Sequence, residues 1–210
     1  MFNSNGGASI SGMNARQPVA LTPGTAPPQR IELGNMTIRR WQPDDLVPRF
    51  EAIVASFEHL NPWMRWLAEP PTLDHQRAYG EAVATSWPTR GGDFAYGIFD
   101  PNGTVLGAIG LHDRIGPAAL EITYWCHVAH VGRDVITRSA TVLTEIALSL
   151  PGIDRVEIRC DAANLRSAAV PRRLGYRLDR TEPRERRAPA DSGRALFWVK
   201  DRSSPLPAPT

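Results

Sequence analysis

The sequence predicts a mixed α/β domain in which a central, mostly antiparallel sheet is flanked by helices. Three observations predict it. Two apolar runs, Phe94 to Phe99 and Thr104 to Leu111, enclose Asp100-Pro101-Asn102-Gly103, whose proline and glycine suit a chain reversal, so the pair forms a hairpin. Residues 120 to 128 then alternate: Leu120, Ile122, Tyr124, Cys126 and Val128 fall on one face, and Glu121, Thr123, Trp125 and His127 on the other, as in a central strand. Finally, Ile136, Ala140, Leu143, Ala147 and Leu150 recur at steps of three and four, giving a helix from Val135 to Leu150 whose single apolar stripe must face a sheet.

The remaining elements follow in order. Residues 1 to 30 are rich in Gly, Asn, Ser, Pro and Ala with no apolar period, and are expected to form a mobile tail; residues 203 to 210 are of the same kind, leaving 31 to 202 as one folded domain. A short strand runs from Met36 to Trp41, and Pro43-Asp44-Asp45 opens a helix that reaches about Leu60. Pro62, Pro70 and Pro71 separate it from a second helix, which starts at Thr72 as cap with Asp74 in its first turn, where the helix dipole favours an anion. Pro151-Gly152 stops the long helix; Val156 to Cys160 is a strand, Asn164 to Leu174 a short helix ended by Gly175, and Ala195 to Lys200 the last strand.

Composition bounds the function. A chain of 210 residues, 42% hydrophobic and 22% charged, buries a core for one domain. The net charge is only +2, with Lys200 the single lysine and no basic stripe ahead of the last third, so nucleic acid is not an expected partner. No run approaches the roughly 20 apolar residues that span a bilayer, and no cationic leader opens the chain, so neither membrane insertion nor secretion is expected and the protein reads as cytoplasmic. Cys126 and Cys160 stand far apart without metal-ligand spacing, which predicts two buried thiols, no disulfide and no metal.

Three blocks narrow the chemistry: Glu121-Ile122-Thr123-Tyr124-Trp125, the turn from His130 to Arg138, and the stretch from Val156 to Tyr176, with His59-Leu60-Asn61-Pro62-Trp63 near the start. In this order, between about Thr37 and Val199, they resemble the RimJ/RimL-type acyltransferases of the GNAT superfamily. The resemblance implies a sheet whose central strands, here 120–128 and 156–160, splay so that the pantetheine arm of coenzyme A lies between them, bonded to the backbone of Cys126, His127 and Val128. It implies acetyl-CoA or another acyl-CoA as co-substrate, no metal, and a diphosphate seated on the loop and helix start formed by Val131, Gly132, Arg133, Asp134, Val135, Ile136 and Thr137. Asn164 and Ser167 are placed near pantetheine and sulfur, with Ser167 a donor to the departing thiolate.

The loop departs from the family pattern, which has a basic residue or Gln at position 131, Gly at 134 and Gly or Ala at 136. Asp134 matters most: a carboxylate about 4 Å from a phosphate costs about 4 kcal/mol at an effective dielectric of 20, before screening. An Asp at a helix start is also a good N-cap, which would occupy the amides that phosphate needs. Two readings follow: an active transferase in which Gly132 and Arg133 hold the cofactor, and a catalytically silent binding module of the same fold.

Acetylation of an amine needs a base, because an amine of pKa near 10 is protonated at neutral pH. Glu121, on the central strand, is the first expectation, its alternative being a structural carboxylate paired with an arginine; His112, His127, His130 and Glu185 are weaker candidates. A backbone N–H around Cys126 to Val128 is expected to stabilise the oxyanion, and a cysteine nucleophile is disfavoured for want of a base partner. Trp63 and Trp66, with Arg65, are implied as walls of a site for the acceptor, a primary amine of a protein N-terminus or a small molecule. The segment from Asp179 to Asp191 reads as a solvated loop or a second wall, and the protein as a monomer or homodimer.

Overall fold

A computed structural model describes residues 20–22, 24–87 and 92–202. Along the chain run β1 (Arg30–Glu32), β2 (Thr37–Arg40), α1 (Leu46–Ala55), α2 (Phe57–Leu60), α3 (Leu73–Ser86), β3 (Asp93–Phe99), β4 (Val105–His112), β5 (Ala119–Cys126), α4 (Val135–Ser149), β6 (Arg155–Asp161), α5 (Leu165–Arg173), β7 (Arg177–Pro183) and β8 (Arg194–Asp201). The strands form one eight-stranded sheet in the order β1-β2-β3-β4-β5-β6-β8-β7. Among the described residues β5 and β6 are the one parallel pair, and α4 is the crossover that a parallel pair requires.

Local chemistry sets the helix starts. Thr72 Oγ1 accepts from His75 N–H at 3.3 Å at the head of α3, and Asn164 Oδ1 accepts from Ser167 N–H at 3.0 Å at the head of α5, each satisfying a donor that the first helical turn leaves over. The predicted stripe of α4 is buried, with Ile136, Ala140, Leu143, Ala147 and Leu150 packed in one cluster with Leu120, Ile122, Val156 and Ile158 of the sheet. On the opposite face Trp41, Ala52, Val83, Ala95 and Phe99 form a second cluster, and Trp125 of β5 leans on it. The alternation read along residues 120 to 126 therefore sends its two sets of side chains to two helical layers.

Two expectations are corrected. Residues 179 to 183, the first part of the segment read as a solvated loop, belong to β7, which pairs with β8 from Arg177↔Val199 to Pro183↔Arg194. Nearly every side chain of β7 is exposed, so no apolar alternation flags it; its charges and proline protect a sheet edge from pairing with another chain. Leu21, inside the stretch expected to be a mobile tail, is 2% exposed and belongs to the core. The reason is Asp113, whose carboxylate accepts from Ala20 N–H at 2.7 Å and Leu21 N–H at 3.0 Å. Arg30, at the end of that stretch, already belongs to β1, and residues 1 to 19, 23 and 203 to 210 of the expected tails lie outside the described residues.

Candidate active site

The site begins where the sheet splits. β5 and β6 are paired from Ala119↔Arg155 to Ile122↔Ile158 and no further, although β5 continues to Cys126 and β6 to Asp161. On its other edge β6 stays paired with β8 through Asp161↔Ala195, so the divergence lies between β5 and β6. The N–H of His127 donates to Leu106 O on β4 at 2.9 Å; since alternate residues of a strand turn their peptide groups to opposite edges, those of Tyr124 and Cys126 face the gap. The gap opens into a cleft of about 740 Å³ lined by Tyr124, Cys126, Asn164 and Ser167, by Trp63 and His130, and by Val131, Gly132, Asp134, Val135, Ile136 and Thr137.

Two of the expected backbone donors are already engaged. His127 N–H is held by Leu106, as above, and Val128 N–H donates to the buried Ser56 Oγ at 3.0 Å. Of the three residues expected to meet pantetheine, Cys126 alone lines the cleft.

Asp134 sits with φ 55° and ψ 15°, in the left-handed region, and makes no side-chain cap to α4. This corrects its expected role as an N-cap. Asp is one of the few residues whose short polar side chain tolerates that backbone, so it stands where the family pattern has glycine without giving up the turn. The leading N–H groups of α4 are thus not occupied by its carboxylate, and the 15-residue helix directs its positive end at the cleft. Arg133, expected to offset Asp134, is exposed and does not line the cleft; Arg166 and Arg173 of α5 do. Their i, i+7 spacing puts both on one helix face, a signal present in the sequence and overlooked there.

Pro171 shapes the other wall. Lying inside α5, it has no N–H to offer the carbonyl four residues earlier, that of Ser167. The hydroxyl of Tyr124 takes that place, donating to Ser167 O at 3.0 Å and lying 3.2 Å from Ser167 Oγ. Tyr124 and Ser167 are thereby fixed together across the gap, and burial pushes the Tyr124 phenol upward so that it stays protonated.

Cys126 also lines this cleft, and burial raises its thiol to about 11; Cys160 is likewise raised to about 11 by burial. A thiol so displaced is almost wholly neutral at pH 7.5, which removes it as a nucleophile. Alkylation by iodoacetamide at pH 7.5, followed by mass spectrometry, is expected to run about two orders of magnitude slower at Cys126 than at free cysteine, and to accelerate as the pH climbs toward 11. Labelling at the free-cysteine rate contradicts this assignment.

A second cavity, of about 590 Å³, lies toward α1 and α3, with Trp41, Arg49, Trp66, Tyr79, Asp93, His112 and Thr123 in its walls. Met64, Tyr124 and Trp125 line both cavities. Within it His112 Nδ1 is 2.5 Å from Asp93 Oδ1 and Nε2 is 2.7 Å from Thr123 Oγ1. With Asp93 accepting from Nδ1, the neutral imidazole presents its lone pair at Nε2. The hydrogen bond from His112 holds the Asp93 carboxyl below the usual carboxylate range against the opposing effect of burial. Gly110 makes the arrangement possible: a Cβ there would lie 2.7 Å from His112 Nε2 and 3.3 Å from Thr123 Oγ1.

Glu121, the first-choice base, lines neither cavity. The residue is 7% exposed and its carboxylate accepts from Arg114 Nε at 2.8 Å, the structural pairing that was its alternative reading. His127 Nδ1 accepts from Ala129 N–H at 3.1 Å, and the exposed Glu185 pairs with Arg187 at 3.5 Å. The two tryptophans separate: Trp66 lines the second cavity, whereas Trp63 lines the first. Among the described residues no cluster of His, Cys, Asp or Glu could hold a metal ion, and no helix is long and apolar enough to cross a membrane.

A sheet split between two central strands, with an uncapped helix start at one end of the split and a second cavity meeting it across β5, defines the class: a transferase that takes its acyl group from coenzyme A. The chain belongs to the GNAT acetyltransferase family, whose model, described as an acetyltransferase (GNAT) domain, matches residues 35–177, and it is an N-acetyltransferase with acetyl-CoA as co-substrate. It is 29% identical over 148 residues to YdaF of Bacillus subtilis (strain 168), named as a ribosomal N-acetyltransferase, covering 68% of this chain and 78% of that one. A structure of the ribosomal-protein alpha-N-acetyltransferase RimL with coenzyme A superposes with a TM-score of 0.75 at 19% identity, over 82% of this chain and 97% of that chain. The self-immunity acetyltransferase MccE, bound to acetyl-CoA and AMP, does so with a TM-score of 0.74 at 17% identity, over 85% and 98%. A Salmonella typhimurium acetyl transferase that modifies the N-terminal serine of a ribosomal protein gives 0.69 at 19% identity, over 80% and 96%.

Proposed function

We propose that the chain acetylates a primary amine, of a protein N-terminus or a small molecule, by direct attack on acetyl-CoA in a ternary complex with His112 as the base. The observation that carries this reading is the meeting of the two cavities at Tyr124 and Trp125. A thioester lying along the split and an amine in the second cavity then come together beside β5. Relatives named for ribosomal-protein acetylation support a protein N-terminus as one acceptor.

In this reading the ammonium of the acceptor passes its proton to His112 Nε2, directly or through the Thr123 hydroxyl, and Asp93 stabilises the imidazolium that forms. The freed lone pair attacks the thioester carbonyl. The new C–N bond forms, and the peptide N–H of Cys126, facing the gap, receives the oxyanion. As the C–S bond breaks, the nitrogen gives up its second proton to water to leave a neutral amide, and the hydroxyl of Ser167, held by Tyr124, donates a proton to the leaving thiolate and regains one from that water. Gly132 and the first amides of α4 hold the diphosphate, with Arg166 and Arg173 in place of the expected Arg133.

Isothermal calorimetry with acetyl-CoA, followed by a thiol-release assay over peptides and small amines, tests the proposal. Saturable binding and amine-dependent release of coenzyme A are expected; absence of binding at millimolar acetyl-CoA would falsify it.

A further inference from the structure

Arg49 is a buried cation whose counter-ion is missing from its own surroundings. It occupies a core position of α1, in the buried set with Ala52 and Ile53, is 3% exposed, and lines the second cavity. Its guanidinium lies 5.2 Å from the ring centroids of both Trp41 and Tyr79. Nη2 donates to Gln76 O at 2.5 Å, and Nε finds no hydrogen-bond partner. Among the described residues it forms no ion pair. Asp45, which attracts it from farther off, is engaged by Arg39 at 2.6 and 2.8 Å and by Gln42 N–H at 2.7 Å.

Burying a guanidinium without a counter-ion is unfavourable, and arginine does not escape by losing its proton. The fold nevertheless makes room for it. Gly80 lies inside α3, where glycine is a poor helix former, and a Cβ there would stand 3.1 Å from Arg49 Nη2. The same cavity holds Asp93 behind His112. Of the other charged or titratable side chains in its walls, Arg114 is paired with Glu121, and His75 is exposed. The cavity therefore has an acidic group where an ammonium would arrive and an unpaired guanidinium elsewhere in its wall, with Trp41, Trp66 and Tyr79 among its aromatic walls.

We infer that the acceptor is a zwitterion: an amine that also carries a carboxylate, bound by Arg49 while its nitrogen points at His112. The inference rests on the reading of the second cavity as the acceptor site and adds the substrate class. Two sources share this chemistry, a small amino-carboxylate and a peptide N-terminus followed by an acidic side chain.

Two matched pairs of probes test it. 4-(Aminomethyl)benzoate is compared with 4-(aminomethyl)benzamide, and alanyl-glutamate amide with alanyl-glutamine amide, in thiol-release kinetics and in calorimetry on the protein saturated with coenzyme A. In at least one pair the carboxylate member is expected to have kcat/KM about 10- to 100-fold above its amide partner, mainly through KM, as for a charge-assisted bond to arginine. The pair that responds identifies the source. Arg49→Gln should erase the preference, and Arg49→Lys should keep part of it. Equal handling of both members of both pairs by the wild-type protein overturns the inference, whether or not either variant folds. Calorimetry separates this failure from failure of the transferase reading: selective binding of the carboxylate probes without turnover keeps the Arg49 site and removes the chemistry proposed for His112.

Discussion

Replacing His112 with alanine is expected to lower kcat/KM for amine acetylation by about 10²- to 10⁴-fold, the range for loss of a positioned general base, while acetyl-CoA affinity measured by calorimetry stays within about twofold. The expectation rests on geometry, since His112 bridges Asp93 and Thr123 at 2.5 and 2.7 Å in the cavity beside β5. The pairing behind His112 carries its own pH dependence: the hydrogen bond from His112 holds the Asp93 carboxyl below the ordinary range, so the pairing is present above that range and is lost only as the pH falls through the depressed value. Glu121→Gln is the control, because Glu121 is turned to Arg114 and should change kcat/KM by less than about threefold. The opposite ranking, with Glu121→Gln inactive and the His112 variant active, returns the role to Glu121.

Asp134→Asn should tighten acetyl-CoA binding by about tenfold at low salt. Asn shares Asp's tolerance of the left-handed backbone observed at this position, so the substitution removes charge and little else. The Coulomb penalty of about 4 kcal/mol for a carboxylate 4 Å from a phosphate at an effective dielectric of 20 is an upper bound. Asp134 is exposed, and screening leaves about 1.4 kcal/mol, the equivalent of tenfold. Because a screened charge is responsible, the advantage of the variant should shrink between 0.02 and 0.5 M NaCl. A constant advantage, or none, means the carboxylate does not face the diphosphate.

The contrast between these two residues shows what a sequence can carry. Asp134 was singled out from its place in a known pattern, yet its expected N-cap did not form, because capping depends on the φ and ψ of one residue and no spacing rule encodes them. His112 was a minor candidate, since its partners come from β3 and β5 and are brought together by strand register. Glu121 drew attention through alternation along one strand, which tells the face of a side chain and not whether an arginine waits there. Arg49 gave no sign at all: one polar residue at a core position of a short helix is indistinguishable, in one dimension, from a surface arginine.

Local and periodic information sufficed for the mixed α/β class, the α4 stripe and the caps at Thr72 and Asn164, because side-chain period and capping act over a few residues along the chain. The ordered blocks around Glu121, His130 and Val156 were enough to indicate the family. Three-dimensional pairing alone decided where β5 leaves β6, that the exposed β7 is a strand at all, that Leu21 enters the core through Asp113, and which charges are left without partners. Each of these turns on contacts between residues far apart in sequence, and there the free energy of burying or pairing a polar group depends on what the rest of the fold delivers to it.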